Sequence, residues 1–366
     1  MFSPLSLRGT EVRNRVMVSP MCQYSCEARD GLATEWHETH LRSRAVGGAG
    51  VVMSEATAVE PRGRISPEDL GIWSDEHAEA LAGITEFMRE QGATPAIQLA
   101  HAGRKAATSR PWEGHDPLQP DEGGWEVVAP SDEPWPYAEQ DAPPTHGMDA
   151  ADLDDVREAF RAAAERSLDA GFEIAEVHAA HGYLLHEFLS PVTNHREDEY
   201  GGDFESRIRF PLEVVDVVRE VWPDDKPVFV RVSATDWLPD RDSWTVDQTV
   251  RFADRLAEHG VDLIDVSAGA IHPDQQLPDM GAGYQMRYAE QVTRETESDI
   301  HVGAVGGINT PEQADEQIRN GRADMAIVAR EHLRDPYFTM TAARKLGALD
   351  RVDVPPQYYR GMHQHQ

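Results

Sequence analysis

The sequence predicts an α/β chain folded as a single (β/α)8 barrel of the TIM type. Three observations lead there. Short apolar runs alternate with amphipathic stretches about eight times, the count that closes a barrel, along 366 residues. The runs are apolar almost throughout, as strands covered on both faces of a parallel sheet must be. No Gly-x-Gly-x-x-Gly turn follows the first run, although an open dinucleotide-binding sheet would need one. A barrel holds a chain of this length in one domain, here taken as 1–366.

After an N-terminal hairpin, candidate strands fall at 16–21, 50–59, 94–101, 172–181, 228–233, 262–268, 300–305 and 323–329. Between them, 75–91 carries Ala78, Leu81, Ala82 and Phe87 on one helical face, and 152–170 carries Val156, Phe160, Ala163, Ala164 and Leu168. Ile208, Leu212, Val215 and Val218 mark 204–222, and Val250, Phe252, Ala253 and Leu256 mark 245–259. Such spacing buries one stripe of a helix. Asp75, Asp152 and Thr310 stand where N-caps belong, and Pro311 suits a first turn. Gly92, Gly171, Gly260 and Gly321 close four helices. The segment 106–148, between the third strand and its helix, is rich in Pro, Gly, Trp and acids and has no period. A loop of that length reads as a lid over the barrel's C-terminal face, or else as a tolerated surface insertion.

Composition narrows the partners. The net charge of −31 disfavours nucleic acid and anionic membranes. No apolar run is long enough to span a bilayer, and the first residues lack the order of a signal peptide, so a cytoplasmic location is expected. Lysine occurs only at Lys105, Lys226 and Lys345, while acids are spread over the whole chain. That pattern reads as a halophilic surface, whose self-repulsion molar salt screens, rather than as a docking face for a basic partner. Cys22 and Cys26 are too few for a disulfide scaffold or a four-cysteine cluster.

In such barrels chemistry collects at the C-terminal ends of the strands. His178 and His181, just before Gly182 and Tyr183, could donate two hydrogen bonds to one substrate oxygen, with Tyr183 as a nearby acid. The same pair could instead hold zinc with His101 as third ligand, or be satisfied core histidines. Gly306 and Gly307 let backbone N–H groups approach an anion, and Arg330 offers a guanidinium fork, as a mononucleotide phosphate requires. Gln98 and Arg231 should face the barrel mouth. A buried Arg231 needs a negative partner: a reduced flavin ring, or a core carboxylate such as Asp265.

Four segments carry a family resemblance: Ser19-Pro20-Met21-Cys22, the run from Ile97 to Lys105, the run from His178 to Pro191, and Asn194-His195-Arg196-x-Asp198-x-Tyr200-Gly201-Gly202. Together they resemble the Old Yellow Enzymes, and among them the thermophilic-like bacterial branch. The resemblance implies an FMN-dependent ene-reductase, or NADPH dehydrogenase. Hydride would pass from NADPH or NADH to FMN and then to the β-carbon of an α,β-unsaturated carbonyl or nitro compound. It further implies that Ser19, Pro20, Met21, Cys22, Ala56, Gln98 and Arg231 touch FMN, with Gly306, Gly307, Ala329 and Arg330 at its phosphate. Cys22 would tune the flavin, Tyr24 would touch substrate, His178 and His181 would hold its oxygen, and Tyr183 would donate the proton. A homodimer or homotetramer is implied, with Arg360 reaching the neighbouring site. Two departures stand out: Ala329 occupies a place where the family often has Gly, and Met362 stands where the branch often has Trp. A zinc-dependent barrel hydrolase is the runner-up reading. A Schiff-base aldolase would rest on Lys105, and a flavin store without catalysis is a further rival.

Overall fold

The computed structural model describes residues 1–362. Eight parallel strands close into a barrel: β1 (Val16–Val18), β2 (Val51–Ala58), β3 (Thr94–Ala100), β4 (Ile174–Ala179), β5 (Val228–Ser233), β6 (Leu263–Ser267), β7 (His301–Val305) and β8 (Met325–Val328). They pair in chain order, and β8 pairs with β1 to close the ring. Every predicted strand exists, most of them a residue or more shorter than expected. The runs end where the backbone turns to expose the side chains of the mouth. One irregularity has no mark in composition. Between Met53 and Ala56 the register of β2 against β3 slips by a residue, a bulge beside the site.

The hairpin of Leu5–Leu7 and Thr10–Val12 closes the floor. Its Leu5, Leu7 and Val12 pack against Met17, Met53, Phe229 and Ile327 inside the barrel. That apolar plug leaves the C-terminal mouth as the end with polar side chains. A larger apolar layer, including Phe160, Phe188, Val215, Phe252 and Leu256, fills the space between helices and strands.

Two cap assignments need correction. The helix Asp75–Glu90 is capped by Ser74, and the helix Ala150–Asp169 by Asp149. In each, the residue three positions on reaches back to the cap, His77 in one and Asp152 in the other. Thr310 does cap Pro311–Arg319. In the first helix Ile84, Thr85 and Met88 bury more fully than Ala82 and Phe87, and Arg42 lies over the Phe87 ring. Gly92, Gly171, Gly260 and Gly321 take positive φ just beyond their helix ends, where a side chain would be strained.

The segment 106–148 contains a small parallel pair, Val127–Ala129 with Thr145–Gly147. Its Trp125 donates to the Arg62 carbonyl at 2.9 Å and lies under Arg64, which ties it to the loop after β2. Its Trp112 meets Tyr24 edge-on.

Candidate active site

The turn after β4 holds the chemistry. His178 and His181 stand ring-to-ring at 5.2 Å, and His178 and Tyr183 at 5.1 Å, each pair perpendicular. His178 accepts the Ala180 N–H on Nδ1 at 3.2 Å, which places its own proton on Nε2 as a donor. His181 Nε2 meets Ser267 Oγ at 2.7 Å, and its backbone N–H donates to Ser233 Oγ at 2.9 Å. Burial first, then the nearby Arg231 charge, holds both imidazoles well below the ordinary histidine range. At neutral pH they are uncharged.

His181 takes φ +61 and Gly182 φ +73, two consecutive left-handed residues. A Cβ on Gly182 would fall 2.2 Å from the Ala270 carbonyl oxygen, so only glycine fits there. Behind the turn, Gly182 N–H donates to His186 Nδ1 at 2.9 Å. His186 Nε2 lies 2.9 Å from Asp236, and both side chains are sealed from solvent. Asp236 also accepts from Ser190 Oγ and the Trp244 N–H. Sequence reasoning missed this pair. His186 and Asp236 are far apart in the chain, and only the placement of His186 one helical turn after Gly182 hints at it.

Cys22, Tyr24, Ala56 and Tyr183 share one packed cluster with Trp125 of the insertion. Ala56, just past the β2 bulge, and Tyr24 both lie beside the Cys22 thiol. Burial, reinforced by Asp69 and Glu55, pushes the Cys22 thiol up. Burial also pushes the phenols of Tyr24 and Tyr183 up, so all three stay protonated. Cys22 is therefore no thiolate nucleophile. Glu55 is itself held by the Gln23 N–H at 2.7 Å.

The part of the mouth after β7 and β8 is built for an anion. A cavity of about 370 Å³ is lined by His181, Arg231, Gly306, Gly307, Ala329 and Arg330, among others. Gly306 and Gly307 have φ +108 and +72, and a Cβ on either would strike Gln285 or Gly283 within 2.6 Å. The Arg330 side chain makes no hydrogen bond or ion pair among the described residues, in a chain with abundant acids. Ala329 sits at φ −100, outside the left-handed region that favours glycine. Ser19 donates its N–H to Val328, but its buried hydroxyl has no partner.

Between the walls, Gln98 donates to Glu176 at 2.8 Å, and Arg231 lies 3.1 Å from Asp265. The core-carboxylate reading of Arg231 is thus realised, while its guanidinium still lines the cavity. Burial raises both carboxyls, Glu176 and Asp265. The Ser19 hydroxyl and the Arg330 side chain, neither with a partner among the described residues, and the glycine cradle all fit a phosphate-bearing flavin. Pro20, Met21 and Cys22 continue β1 beside Ser19. Arg360 lies exposed on the short helix Tyr359–Met362 and is not among the residues that line the cavity.

The zinc reading needs correction. His101, its proposed third ligand, is turned to Glu60 at 2.8 Å and accepts the Gly103 N–H on its other nitrogen. His178 Nδ1 is likewise committed to backbone. The aldolase reading fails because the Lys105 ammonium is bound by two carbonyl oxygens, those of His181 and Ala270.

A closed parallel barrel with an anion cradle on one side and uncharged hydrogen-bond donors on the other defines a flavin-dependent barrel oxidoreductase. Comparison with known proteins gives the same class. The NADPH dehydrogenase of Geobacillus sp. (strain WCH70) is 46% identical over 361 residues, spanning 99% of this chain and 98% of that protein. The NADPH dehydrogenase of Bacillus subtilis (strain 168) is 45% identical over 362 residues, spanning 99% and 98%. A solved morphinone reductase superposes with TM-score 0.76 at 26% identity, covering 98% of this chain and 92% of that one. Residues 1–348 match the model of the NADH:flavin oxidoreductase / NADH oxidase family, and the chain belongs to it. It is an FMN-dependent oxidoreductase that takes its electrons from NAD(P)H. Among the described residues no helix is long and apolar enough to cross a membrane.

Proposed function

We propose that the enzyme reduces the activated double bond of α,β-unsaturated aldehydes, ketones, esters and nitro compounds. One observation carries this reading: two uncharged imidazoles and a protonated phenol converge within about 5 Å ring to ring. Bound FMN supplies hydride transfer between NAD(P)H and the alkene. Ser19, Pro20, Met21, Cys22, Ala56, Gln98 and Arg231 hold the flavin. Gly306, Gly307, Ala329 and Arg330 hold its phosphate. His178 and His181 bind the substrate's oxygen and draw electron density from the β-carbon. Tyr183 gives its phenolic proton to the α-carbon, and Tyr24 packs on the substrate. Neutral donors suit this task, because they polarise the oxygen without having to lose a proton.

The single domain carries 106–148 as a lid, supported by the seating of Trp112 and Trp125 against Tyr24 and the loop after β2. The exposed Arg360 supports a homodimer or homotetramer in which it enters a neighbour's site. NADPH is the reductant we favour, on the likeness to NADPH dehydrogenases. A cytoplasmic location and a halophilic source fit the composition. The salt reading predicts a melting temperature several degrees higher in molar KCl than in dilute buffer. The deciding measurement is rapid-mixing spectroscopy of the two half-reactions. NADPH should bleach the flavin, and cyclohexenone should restore its colour. A flavin that NADPH bleaches but no enone or nitroalkene reoxidises would overturn the proposal.

A further inference from the structure

We propose that Lys105 is a positioning residue for the alkene half-reaction: it holds the left-handed turn that presents His181 and Tyr183, and it ties that turn to the 106–148 insertion through Trp135. The inference rests on the reading of Tyr183 as proton donor.

The Lys105 ammonium donates to the His181 carbonyl at 2.8 Å and to the Ala270 carbonyl at 3.0 Å. Both acceptors belong to non-glycine residues with positive φ, +61 at His181 and +75 at Ala270. L side chains leave that region unless their surroundings hold them. The two backbones also touch each other, since Gly182 packs directly on the Ala270 carbonyl. One cation therefore pins two strained segments, after β4 and β6, at their point of contact. The same ammonium lies 5.2 Å from the centre of the Tyr183 ring and 4.6 Å from that of Trp135. Both rings are within cation–π range of it.

The insertion is anchored at the same place. The neighbouring Arg104 donates to the carbonyls of Glu133, Pro134 and Ile271 and lies over the same Trp135 ring. Movement of 133–135 would thus be felt at Tyr183 through a single side chain. Lys105 has no ion pair among the described residues, although acids outnumber bases in the chain. Carbonyl oxygens and aromatic faces hold it, and these fix position where an exposed ion pair would not. Burial lowers its ammonium to about 8, with the Glu187 carboxylate opposing that shift and Arg104 adding to it.

Lys105→Met keeps the aliphatic stem and removes the donors. It should slow flavin reoxidation by cyclohexenone about tenfold or more, the scale for losing charge-assisted hydrogen bonds. Bleaching by NADPH should change by less than about twofold. Amide hydrogen exchange at 180–184 should rise while the rest of the barrel keeps its protection. Trp135→Leu should shift both readouts the same way by a smaller factor. Lys105→Arg restores a charged donor, should recover part of the reoxidation rate, and serves as the test if the Met variant does not fold. Equal slowing of both half-reactions, or unchanged exchange at 180–184, would overturn the proposal. Tyr183→Phe is measured alongside. If that change leaves enone reduction intact, the proton-donor reading fails, and the exchange result still decides whether Lys105 holds the turn.

Discussion

The wall made by β7 and β8 presents two left-handed glycines and an arginine whose side chain has no partner among the described residues, and the wall made by β1 to β4 presents imidazoles, a thiol and phenols that burial keeps uncharged. The first is shaped for a permanent anion, whose charge never changes during a turnover. The second faces atoms whose charge rises and falls within a turnover. Hydrogen-bond donors aimed at that oxygen stabilise the charge as it develops. Phosphate binding is assigned to a formally charged side chain, and chemistry to imidazole and phenol groups that carry no charge themselves.

The sharpest way to break this division is at Tyr183. Tyr183→Phe should lower alkene reduction by about 10²- to 10⁴-fold, the range for a positioned general acid, while NADPH still bleaches the flavin. Rapid mixing separates the two, and equal losses would erase the distinction between walls. His178→Ala comes next. It should slow enone reduction by about 10²-fold, as loss of one oxyanion donor does, and weaken a para-substituted phenol titrated against flavin absorbance. Arg330→Leu should act on the other wall alone, raising the FMN dissociation constant about tenfold for one charge-assisted contact. The refilled enzyme should keep its turnover. The smallest effect expected is none. Because burial depresses both imidazoles, their charged forms form only well below pH 6.5, so phenol affinity should vary less than about twofold from pH 6 to 7. A titration step near 6.5 would mean that the substrate wall carries charge after all.

The sequence was most informative where one residue type has one physical use. Apolar runs gave the eight strands, and the glycines that end helices were visible because few other residues tolerate positive φ. Gly306, Gly307 and Arg330 do meet at one cavity, as their places after β7 and β8 implied. Legibility failed where several residues could do the same thing. Ser74 and Asp75 are both good caps, as are Asp149 and Asp152, and backbone geometry alone chose between them. The bulge in β2 leaves no compositional trace. The His186–Asp236 pair and the double grip of Lys105 depend on contacts between distant segments, which no local pattern records. His101 could stand as a possible third zinc ligand in the sequence because Glu60, which holds it, lies on a different strand's loop.

The hairpin at the chain's start stoppers the barrel from below. A vessel corked at its base has its doorway at the mouth, and on the proposed chemistry nicotinamide and alkene share it. Crowding from either visitor would keep the other waiting, and each turnover would run at the pace of departures as much as of arrivals.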